Sequence, residues 1–410
     1  MTFALGQPAI QLVSIATGFL LLRWMPVEHY AQFGVAFAFQ STVAMLADLG
    51  FSSSILALAG TRATDPEVIG RYLRSARHFR RILVGVVGLV FAVAFPLITA
   101  GQPWGFAAKA WILASILTAV VVQGWSMYQA PLLAHRMIGH LYQPQIAVGF
   151  IRLGLSALLH LAHVLTGVGA SWLSTLALAV NGGWMRYSAR RLVSEPPRPD
   201  PVANREMLRY LAPLMPGVVF SAFQSQIQIA IIIYFGTTQN IAEVTALGRL
   251  GQIFGILVAF NSVIVGPYIA ALPATRLRGR YIIILFGSFL VAGCLSVIAF
   301  ALPSPLLWLI GPRYANLGPE VGWVVLASSV SYVGGVMWTM HASRKWVFWW
   351  GTVLYITLLL AAQIGGAVWL DLSSTRGVVL FGVVTAFATL GVHIFTALYG
   401  FLFRQPNPYL

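Results

Sequence analysis

The chain has 410 residues, of which 59% are hydrophobic and 9% are charged. Soluble domains carry roughly 25% charged residues, so this composition excludes an ordinary soluble protein and predicts one that spans a membrane. The net charge of +15 would suit a nucleic-acid-binding protein, but it is spread over several short segments between hydrophobic stretches. Basic loops facing anionic lipid headgroups explain that distribution, so we exclude nucleic acid and expect membrane lipids as partners.

About twelve hydrophobic stretches reach or nearly reach the roughly 20 apolar residues that cross a bilayer. They cover residues 3–22, 32–60, 82–100, 106–129, 144–165, 167–185, 210–235, 241–272, 281–300, 320–341, 347–370 and 377–403. Of the 25 Lys and Arg residues, 19 lie in the gaps after even-numbered stretches or in the C-terminal tail. Cytoplasmic loops carry such an excess. The sequence therefore predicts an all-α polytopic membrane protein with both termini in the cytoplasm.

Residues 65–81 are predicted to form an amphipathic helix that lies on the inner leaflet. Asp65, Pro66 and Glu67 are the residue types that favour the start of a helix. At about 100° per residue, basic side chains share one face: Arg71, Arg74, Arg77, His78 and Arg81. The opposite face is apolar: Ile69, Tyr72, Leu73, Ala76 and Phe79. This pattern is typical of an interfacial helix that anchors the topology; the alternative is that it gathers an anionic lipid-linked substrate.

The longest polar gap separates the first six stretches from the last six. Residues 194–201 read SEPPRPDP, and proline at this density favours an extended tether. We therefore predict an N-terminal six-helix lobe over residues 1–193, a cytoplasmic linker over 194–207 and a C-terminal six-helix lobe over 208–410. Paired bundles of equal size are a common plan in transporters, with the substrate site at their interface.

Three charged residues lie well inside the hydrophobic stretches: Asp48, Arg152 and Arg249. Each is a candidate functional residue, because charge inside hydrocarbon is costly. Polar residues accompany them at helical spacing: Ser41 and Ser52 in stretch 2, Ser156, His160 and His163 in stretch 5, Ser221, Gln224, Ser225 and Gln228 in stretch 7, and Gln252 in stretch 8. Such groups are best satisfied by a shared aqueous cavity. Asp48 could instead form a structural ion pair with Arg152, since their depths differ by about 6 Å.

Motifs for catalysis and cofactors are missing. Cys294 is the only cysteine, so an intramolecular disulfide and a cysteine-based metal site are excluded. The sequence contains no G-x-x-x-x-G-K-[ST] loop for nucleotide phosphates. We therefore predict that the protein is not an enzyme and uses neither a cofactor nor a metal, so that any transport is passive or coupled to an ion gradient.

Two segments in the first eighty residues resemble a known family. RWMPVEHYAQF at Arg23–Phe33, followed by LADLGFS at Leu46–Ser52, is similar to the polysaccharide flippase (Wzx-like) branch of the multidrug/oligosaccharidyl-lipid/polysaccharide (MOP) exporter superfamily. In that branch an Arg-x-Leu-x-Pro-x-x-Tyr-Gly-x-Phe segment links spans 1 and 2. Tyr210–Pro216 and Ala246–Leu250 are fainter matches in the second half. The sequence departs from the family at Ala31, where glycine is usual, and at 224–228, which lacks the family's Asn-x-x-Asp-Arg.

The resemblance implies two six-helix lobes, as in MATE and other MOP transporters, around a cavity that opens alternately to the two sides of the bacterial cytoplasmic (inner) membrane. The implied substrate is an isoprenoid-pyrophosphate-linked oligosaccharide for cell-surface polysaccharide. Arg249 and Arg152 would hold the pyrophosphate, and Asp48 would couple transport to protons or sodium. Gln224, Gln228 and Gln252 are predicted to line the same cavity. We expect a monomer that works beside polysaccharide polymerase or glycosyltransferase machinery.

Three other functions are weighed against this one. A small-molecule exporter of the same fold, moving drugs or metabolites, predicts an aromatic-lined cavity. A non-transporting scaffold of a polysaccharide assembly complex predicts a closed cavity or one that tolerates mutation. A membrane enzyme such as a glycosyltransferase would need acidic residues gathered at the outer surface, where Glu28, Glu243, Glu320 and Asp371 are scattered.

Overall fold

The computed structural model describes residues 2–212, 215–224, 227–344, 346 and 348–403. Across these ranges the regular secondary structure is helical. This agrees with the predicted all-α class, because a helix satisfies its backbone hydrogen bonds without water. The chain divides into two compact units. The N-terminal unit comprises Met1–Thr17 and Trp24–Tyr234, and the C-terminal unit comprises Gly18–Arg23 and Phe235–Leu410.

Among the described residues, the N-terminal unit contains eleven α-helices. The first, α1, is shared, because its residues 18–23 belong to the C-terminal unit. The eleven helices are α1 (Thr2–Trp24), α2 (Val27–Asp48), α3 (Phe51–Ala59), α4 (Pro66–Ile98), α5 (Phe106–Val122), α6 (Gln129–Ala134), α7 (Ile138–Leu161), α8 (Gly167–Ala189), α9 (Pro201–Leu211), α10 (Met215–Gln224) and α11 (Ile227–Phe235). Short 3-10 segments follow α3, α5 and α8. Within this unit α8 packs against α2, α5 and α7, and α2 also packs against α5.

The C-terminal unit is built around the long helix α17, which packs against α15 on one side and α19 on another. Its helices are α12 (Thr238–Gln252), α13 (Phe254–Phe260), α14 (Gly266–Ala271), α15 (Ala274–Ala301), α16 (Pro303–Ile310), α17 (Gly318–Ser343), α18 (Trp349–Trp369) and α19 (Thr375–Phe403). Thr237 begins α12 with a capping box, in which its side chain and that of Asn240 bond each other's backbone N–H. The core of this unit is aromatic and sulfur-rich, with Tyr332, Met337, Met340 and Trp346 buried in it.

Each of the predicted hydrophobic stretches is mainly helical where the structure describes it. By length and apolar composition, 8 helices among the described residues can cross a membrane, or 9 if α10 and α11 form one bent span. The predicted number of about twelve is therefore not confirmed. Stretches 1, 2 and 6 are outside this set. α1 offers an apolar length of only Pro8–Trp24, stretch 2 is split into α2 and α3, and α8 is an unbroken helix of 23 residues whose composition is not apolar enough.

The break in stretch 2 lies beside a candidate functional residue. α2 ends at Asp48, and the next two residues have left-handed backbone conformations, with φ of 38° at Leu49 and 83° at Gly50. Glycine adopts this conformation freely, whereas leucine does so at a cost of roughly 1–3 kcal/mol. The carboxylate of Asp48 therefore stands at a helix end, where the regular backbone hydrogen bonding is interrupted.

The predicted interfacial helix is the first part of α4, which continues without a break to Ile98. The expected start is confirmed, because the Glu67 N–H donates to Asp65 Oδ1 at 3.0 Å and Pro66 occupies the first turn. The expected exposure of its apolar face to lipid is wrong, whereas its position at the inner leaflet stays a prediction. Ile69, Tyr72, Leu73 and Ala76 are buried within the protein, where α4 packs against α3 and α9. Protein contacts cover the apolar face that the sequence suggested for lipid.

The proline-rich segment 194–200, here named the linker strap, lies against α4. The Ser194 N–H donates to the carbonyl of Pro66 at 2.9 Å, and the Glu195 carboxylate pairs with Arg77 at 2.6 Å. Arg74 donates to the carbonyl of Pro197 at 2.9 Å.

A second set of contacts extends this attachment to the start of α9. Asp200 pairs with Arg71 at 3.5 Å and also caps α9 by accepting the N–H of Val202 at 2.9 Å. The Tyr72 hydroxyl donates to Glu206 Oε2 at 2.6 Å. The segment predicted to be an extended tether is thus attached to the N-terminal unit, which continues to Tyr234. The lobe limits 1–193 and 208–410 stay a prediction.

Candidate functional site

A cavity of about 260 Å³ lies inside the N-terminal unit, between α1, α2, α7 and α8. We name it the N-terminal cavity. Each of the four helices contributes polar side chains to its lining, including Thr17, Gln40, Gln145, Arg152, Ser174 and Asn181. Arg152 is the only charged residue among the described residues that line it, and Phe37 is the only aromatic one. The cavity therefore mixes polar and apolar side chains and carries one positive charge among the described residues.

Most of the lining hydroxyl groups are satisfied by their own helices. Thr17 donates to the carbonyl of Val13 at 2.7 Å, and Ser41 donates to that of Phe37 at 2.8 Å. This bond, four residues back along the chain, is how Ser and Thr are accommodated in apolar helices. These hydroxyls keep lone pairs that can accept hydrogen bonds from a ligand.

The amide of Gln40 has a structural role, because it joins α2 to α8. Its Nε2 donates to the carbonyl of Ser171 at 3.2 Å and to Thr175 Oγ1 at 2.9 Å. Both contacts are buried, where hydrogen bonds between helices gain value from the lack of competing water. Gln40 thus joins two of the helices that line the cavity together with Arg152.

Arg152 and Asn181 are the groups best placed to receive a ligand in this cavity. The Oδ1 atom of Asn181 is buried and has no hydrogen-bond partner among the described residues. A buried acceptor without a donor is costly, so a donor from a ligand or a water would stabilise it. Arg152 supplies a planar guanidinium that can donate two hydrogen bonds to one phosphate or carboxylate. Together they suit a ligand with an anionic group and hydroxyl groups.

Arg249 and Gln252 lie together in the C-terminal unit, on successive turns of α12. The Arg249 side chain is buried, and its Nη1 donates to Gln252 Oε1 at 3.3 Å. Gly18 of α1 leaves room for the guanidinium, since a Cβ at that position would lie 3.1 Å from Nη1. The predicted pairing of these two polar residues on one helix face is therefore present.

Glu243 is the acidic residue of α12, six positions before Arg249, and its carboxylate contacts Gln239 and Thr375. Gln239 Nε2 donates to Oε1 at 2.9 Å, and Thr375 Oγ1 donates to Oε2 at 2.6 Å. The hydroxyl of Thr375 in turn accepts from Asn240 at 3.1 Å. This network joins the start of α12 to the start of α19, which makes Glu243 a structural residue.

Asp48 interacts electrostatically with Arg80 of α4. The Arg80 side chain is only 4% exposed and packs against Gly124, where a Cβ would lie 2.6 Å from Nε. Arg80 is not among the site residues predicted from the sequence, because it stands just before stretch 3 and among other basic residues. Its position on the helix could have identified it. Arg80 lies on the apolar side of α4 with Leu73 and Ala76, and not on the basic face. A pairing of Asp48 with Arg152 stays a prediction.

Gln224 and Gln228 end α10 and begin α11, on either side of a break at residues 225–226. Both side chains are half-buried, and neither is among the residues that line the N-terminal cavity. Ser225, which completed the predicted stripe, lies outside the described residues. A role for the two glutamines in a substrate site therefore stays a prediction.

Comparison with known proteins identifies the fold. No protein-family model matches the chain, and no curated protein matches it. Among solved structures, it is similar to one described as the inward-facing conformation of a multidrug resistance MATE family transporter of the MOP superfamily. That likeness has 13% sequence identity, covers 98% of this chain and 97% of the other, and gives a TM-score of 0.65.

Two further structures give the same result. MATE in the bent conformation is 15% identical over 98% of this chain and 93% of its own, with a TM-score of 0.63. A MOP superfamily transporter from Pyrococcus furiosus, described as having a binding pocket of reverse polarity, is 14% identical over 98% and 94%, with a TM-score of 0.64. The chain therefore has the fold of MATE transporters of the MOP superfamily and is a multi-pass membrane protein.

Proposed function

We propose that this protein is a transporter that flips an isoprenoid-pyrophosphate-linked oligosaccharide across the bacterial inner membrane, by alternating access, for cell-surface polysaccharide biosynthesis. The MATE-like fold supports transport. The observation that carries the substrate class is the lining of the N-terminal cavity, in which Arg152 is the only charge among the described residues. A site with one guanidinium and several amide and hydroxyl groups favours a ligand that is both anionic and rich in hydroxyls.

The chemistry of each group fits such a ligand. The Arg152 fork would donate two hydrogen bonds to a pyrophosphate oxygen pair, and charge-assisted bonds of this kind are roughly twice as strong as neutral ones. Asn181 Oδ1, which lacks a donor among the described residues, would accept from a sugar hydroxyl. Small-molecule pockets range from roughly 300 to 1,000 Å³. At about 260 Å³ the cavity would hold the pyrophosphate and the adjoining sugar rather than the whole oligosaccharide.

The other predicted residues take roles consistent with this proposal. Arg249, oriented by Gln252, would be a second cation for the phosphate groups. Asp48, attracted to Arg80 at the break between α2 and α3, would be the group that couples transport to an ion gradient. Protonation of its carboxylate would remove the attraction to Arg80 and so favour a different packing of α2 against α4. The protein would act as a monomer beside polymerase or glycosyltransferase machinery.

A small-molecule exporter of the same fold is the second candidate. The solved structures of multidrug resistance transporters favour it, and so does the modest cavity volume. A cavity for cationic, aromatic drugs would be expected to offer aromatic rings and carboxylates. The described lining offers Phe37 as its one ring and no carboxylate, so we place this candidate second.

The test is a flipping assay in proteoliposomes with two probes. One is an isoprenoid-pyrophosphate-linked oligosaccharide with a fluorescent sugar, and the other is a fluorescent cationic drug without phosphate. We expect the protein to move the first and not the second. Arg152→Ala should reduce the rate by about 10- to 100-fold, since a hydrogen bond to a charged group contributes roughly 1.5–3 kcal/mol. The flipping rate of Arg152→Lys should lie between those of the wild type and Arg152→Ala, because lysine keeps the charge but lacks the planar guanidinium.

Arg62→Ala is the matched control, because Arg62 is exposed and pairs with Asp65 at 3.5 Å. Its flipping rate should equal that of the wild type. Movement of the drug alone, with Arg152→Ala harmless, would overturn the proposed substrate and favour the second candidate. Movement of neither probe would count against transport itself.

A further inference from the structure

A buried tyrosine at the end of the 3-10 segment after α5 brings together arginines from two helices of the N-terminal unit. Tyr128 is 5% exposed, and the guanidinium of Arg77 on α4 donates to its hydroxyl. The Cζ of Arg77 lies 5.6 Å from the Tyr128 ring centroid, and the Cζ of Arg186 on α8 lies 5.9 Å from it. We name these three residues the arginine site. Two positive charges beside one ring repel each other, so an anion between them would stabilise the arrangement.

The linker strap supplies one anion to this site. The Glu195 carboxylate pairs with Arg77 at 2.6 Å, whereas Arg186 forms no ion pair with a described residue. The side chains of Arg77 and Glu195 are 24% and 21% exposed, so water reaches the pair. Ion pairs that water reaches contribute little to stability. Glu195 therefore occupies the arginine site weakly and balances one of its two charges.

The attachment of the strap to the protein does not depend on Glu195. At one end, the Ser194 N–H donates to the carbonyl of Pro66, and a Cβ on Gly70 would lie 2.0 Å from the Ser194 carbonyl oxygen. At the other end, Asp200 caps α9, whose inner side is buried. Because both ends are held by other contacts, the Glu195 carboxylate can leave Arg77 while the strap stays on the unit.

The surface around the arginine site has many more arginines than carboxylates. Residues 62–81 and 186–209 contain six arginines each and five carboxylates together. At most five of these twelve arginines can be balanced one to one by the chain's own carboxylates. An excess of positive charge raises the local concentration of anionic ligands. This surface therefore favours an anionic partner, with the arginine site as its most ordered part.

The arginine site lies close to the part of the unit that faces lipid. On α4 the exposed large apolar side chains begin at Ile82, five residues after Arg77 or about 7.5 Å along the helix. On α8, Trp184 and Tyr187 flank Arg186 and are 43% and 64% exposed. Exposed Trp and Tyr are typical of the headgroup level of a bilayer. The headgroup of a lipid packed beside α4 would therefore reach the two arginines.

A phosphate group matches two arginines better than a carboxylate does. A phosphomonoester or a pyrophosphate offers at least three acceptor oxygens and up to about two negative charges, whereas a carboxylate has two oxygens and one charge. The planar guanidinium donates two hydrogen bonds to one phosphate. A phosphate can thus bond Arg77 and Arg186 together, while Glu195 contacts Arg77 and not Arg186.

We propose that Arg77 and Arg186 bind the phosphomonoester or pyrophosphate headgroup of a membrane lipid, and that Glu195 occupies this site until the lipid displaces it. Arg74 adds a further donor, because its guanidinium bonds the carbonyl of Pro197 at 2.9 Å and is released when the middle of the strap lifts. None of these residues lines the N-terminal cavity. The inference therefore does not depend on the substrate proposed for that cavity.

The test measures lipid binding to the full-length protein in detergent by native mass spectrometry. The probes are phosphatidic acid, which has a phosphomonoester headgroup, and phosphatidylglycerol with the same acyl chains, which has a phosphodiester. We expect phosphatidic acid to bind more tightly. Arg77→Ala and Arg186→Ala should each weaken its binding by about tenfold. Glu195→Gln should strengthen it by about two- to fivefold, because the competing carboxylate is gone. That gain should vanish in the double variant Arg77→Ala/Glu195→Gln.

Two controls remove the same charges at exposed positions. Glu67→Gln on α4 and Arg205→Ala on α9 should leave the affinity for phosphatidic acid unchanged. If Arg77→Ala does not fold, Arg77→Lys and Arg186→Ala give the same readout.

Three results would overturn the proposal. The first is normal binding by both arginine variants. The second is an affinity that Glu195→Gln leaves unchanged or lowers, or that Glu67→Gln raises equally, since the attraction would then be a general effect of charge. The third is inorganic phosphate competing at the same concentration as the lipid, which would mean a soluble phosphate ligand instead of a headgroup. Flipping is not measured in this test, so these results are independent of the proposed transport.

Discussion

The two units place their polar residues in different ways. In the N-terminal unit, polar side chains of α1, α2, α7 and α8 border an open cavity of about 260 Å³. In the C-terminal unit, the polar pairs Arg249–Gln252, Glu243–Thr375 and Tyr281–His341 are enclosed by packed side chains. A group that borders a cavity can exchange its hydrogen bonds with a ligand. A group enclosed in a core changes its bonds only when the helices around it move. On our proposal the substrate therefore makes its main contacts in the first unit, and the enclosed polar pairs of the second unit respond only to helix movement.

Filling the N-terminal cavity should give the largest effect. Ala177→Phe on α8 would occupy the space that faces Arg152, so flipping of the lipid-linked probe should fall by about 100-fold or more. Folding should survive, because an added ring in an open cavity meets little resistance compared with overpacking of a core. The rate is measured in proteoliposomes and stability by thermal unfolding in detergent. Leu176→Phe, its exposed neighbour on α8, should have no effect. Normal flipping by Ala177→Phe would mean that the cavity is not on the substrate path.

Arg249→Ala tests whether any polar residue of the C-terminal unit contacts substrate. If Arg249 is a second phosphate-binding residue, flipping should fall by about tenfold with normal abundance in the membrane, and Gln252→Ala should give a smaller loss. Arg276→Ala, an exposed arginine of the same unit, is the control. A lower unfolding temperature with an unchanged flipping rate would instead make Arg249 a packing residue. That outcome would sharpen the contrast between the units.

The sequence predicted more of the fold than of the site. The hydrophobic stretches and the Arg249–Gln252 spacing follow from periodicity along one helix, which a sequence displays directly. Arg152 was found for the same reason, since a charge in an apolar stretch is conspicuous. The attraction of Asp48 to Arg80, the Tyr281–His341–His393 cluster of the C-terminal unit and the fixed linker strap depend on contacts between distant helices. His393 is 52 positions from His341 and 112 positions from Tyr281. A sequence does not show that residues so far apart are in contact, so only the packed structure reveals these groups.

Gly400→Ala probes how closely the C-terminal core is packed around His341. A Cβ at this position of α19 would lie 2.6 Å from two ring atoms of Trp346, which covers the histidine. The ring must shift, and overpacking of this kind costs about 1–3 kcal/mol. We expect a lower unfolding temperature, measured in detergent. Gly391→Ala is the matched control on the same helix, because its Cβ would meet nothing within 4 Å. Alanine there should be neutral or stabilising, since glycine is the poorer helix former.

The smallest effect on overall stability is expected from Gly70→Ala, which tests the attachment of the linker strap. A Cβ at Gly70 would lie 2.0 Å from the carbonyl oxygen of Ser194, so either α4 or the strap must move. We expect the strap to move, because α4 is a continuous helix of 33 residues. The ion pairs that attach the strap to α4 join partly exposed side chains and contribute only about 0–1 kcal/mol each.

The measurement is hydrogen exchange of the Ser194 amide, which donates to Pro66 in the wild type. Its exchange should quicken by about tenfold or more in Gly70→Ala and stay unchanged in Gly85→Ala, where a Cβ meets nothing within 4 Å. Unchanged exchange in both variants would mean that α4 adjusts instead, which would contradict the view that the strap is the weaker element. The flipping rate of Gly70→Ala then gives a second result. A normal rate would show that transport does not require the attachment of the strap to α4. A reduced rate would show that this attachment contributes to the conformational change of transport.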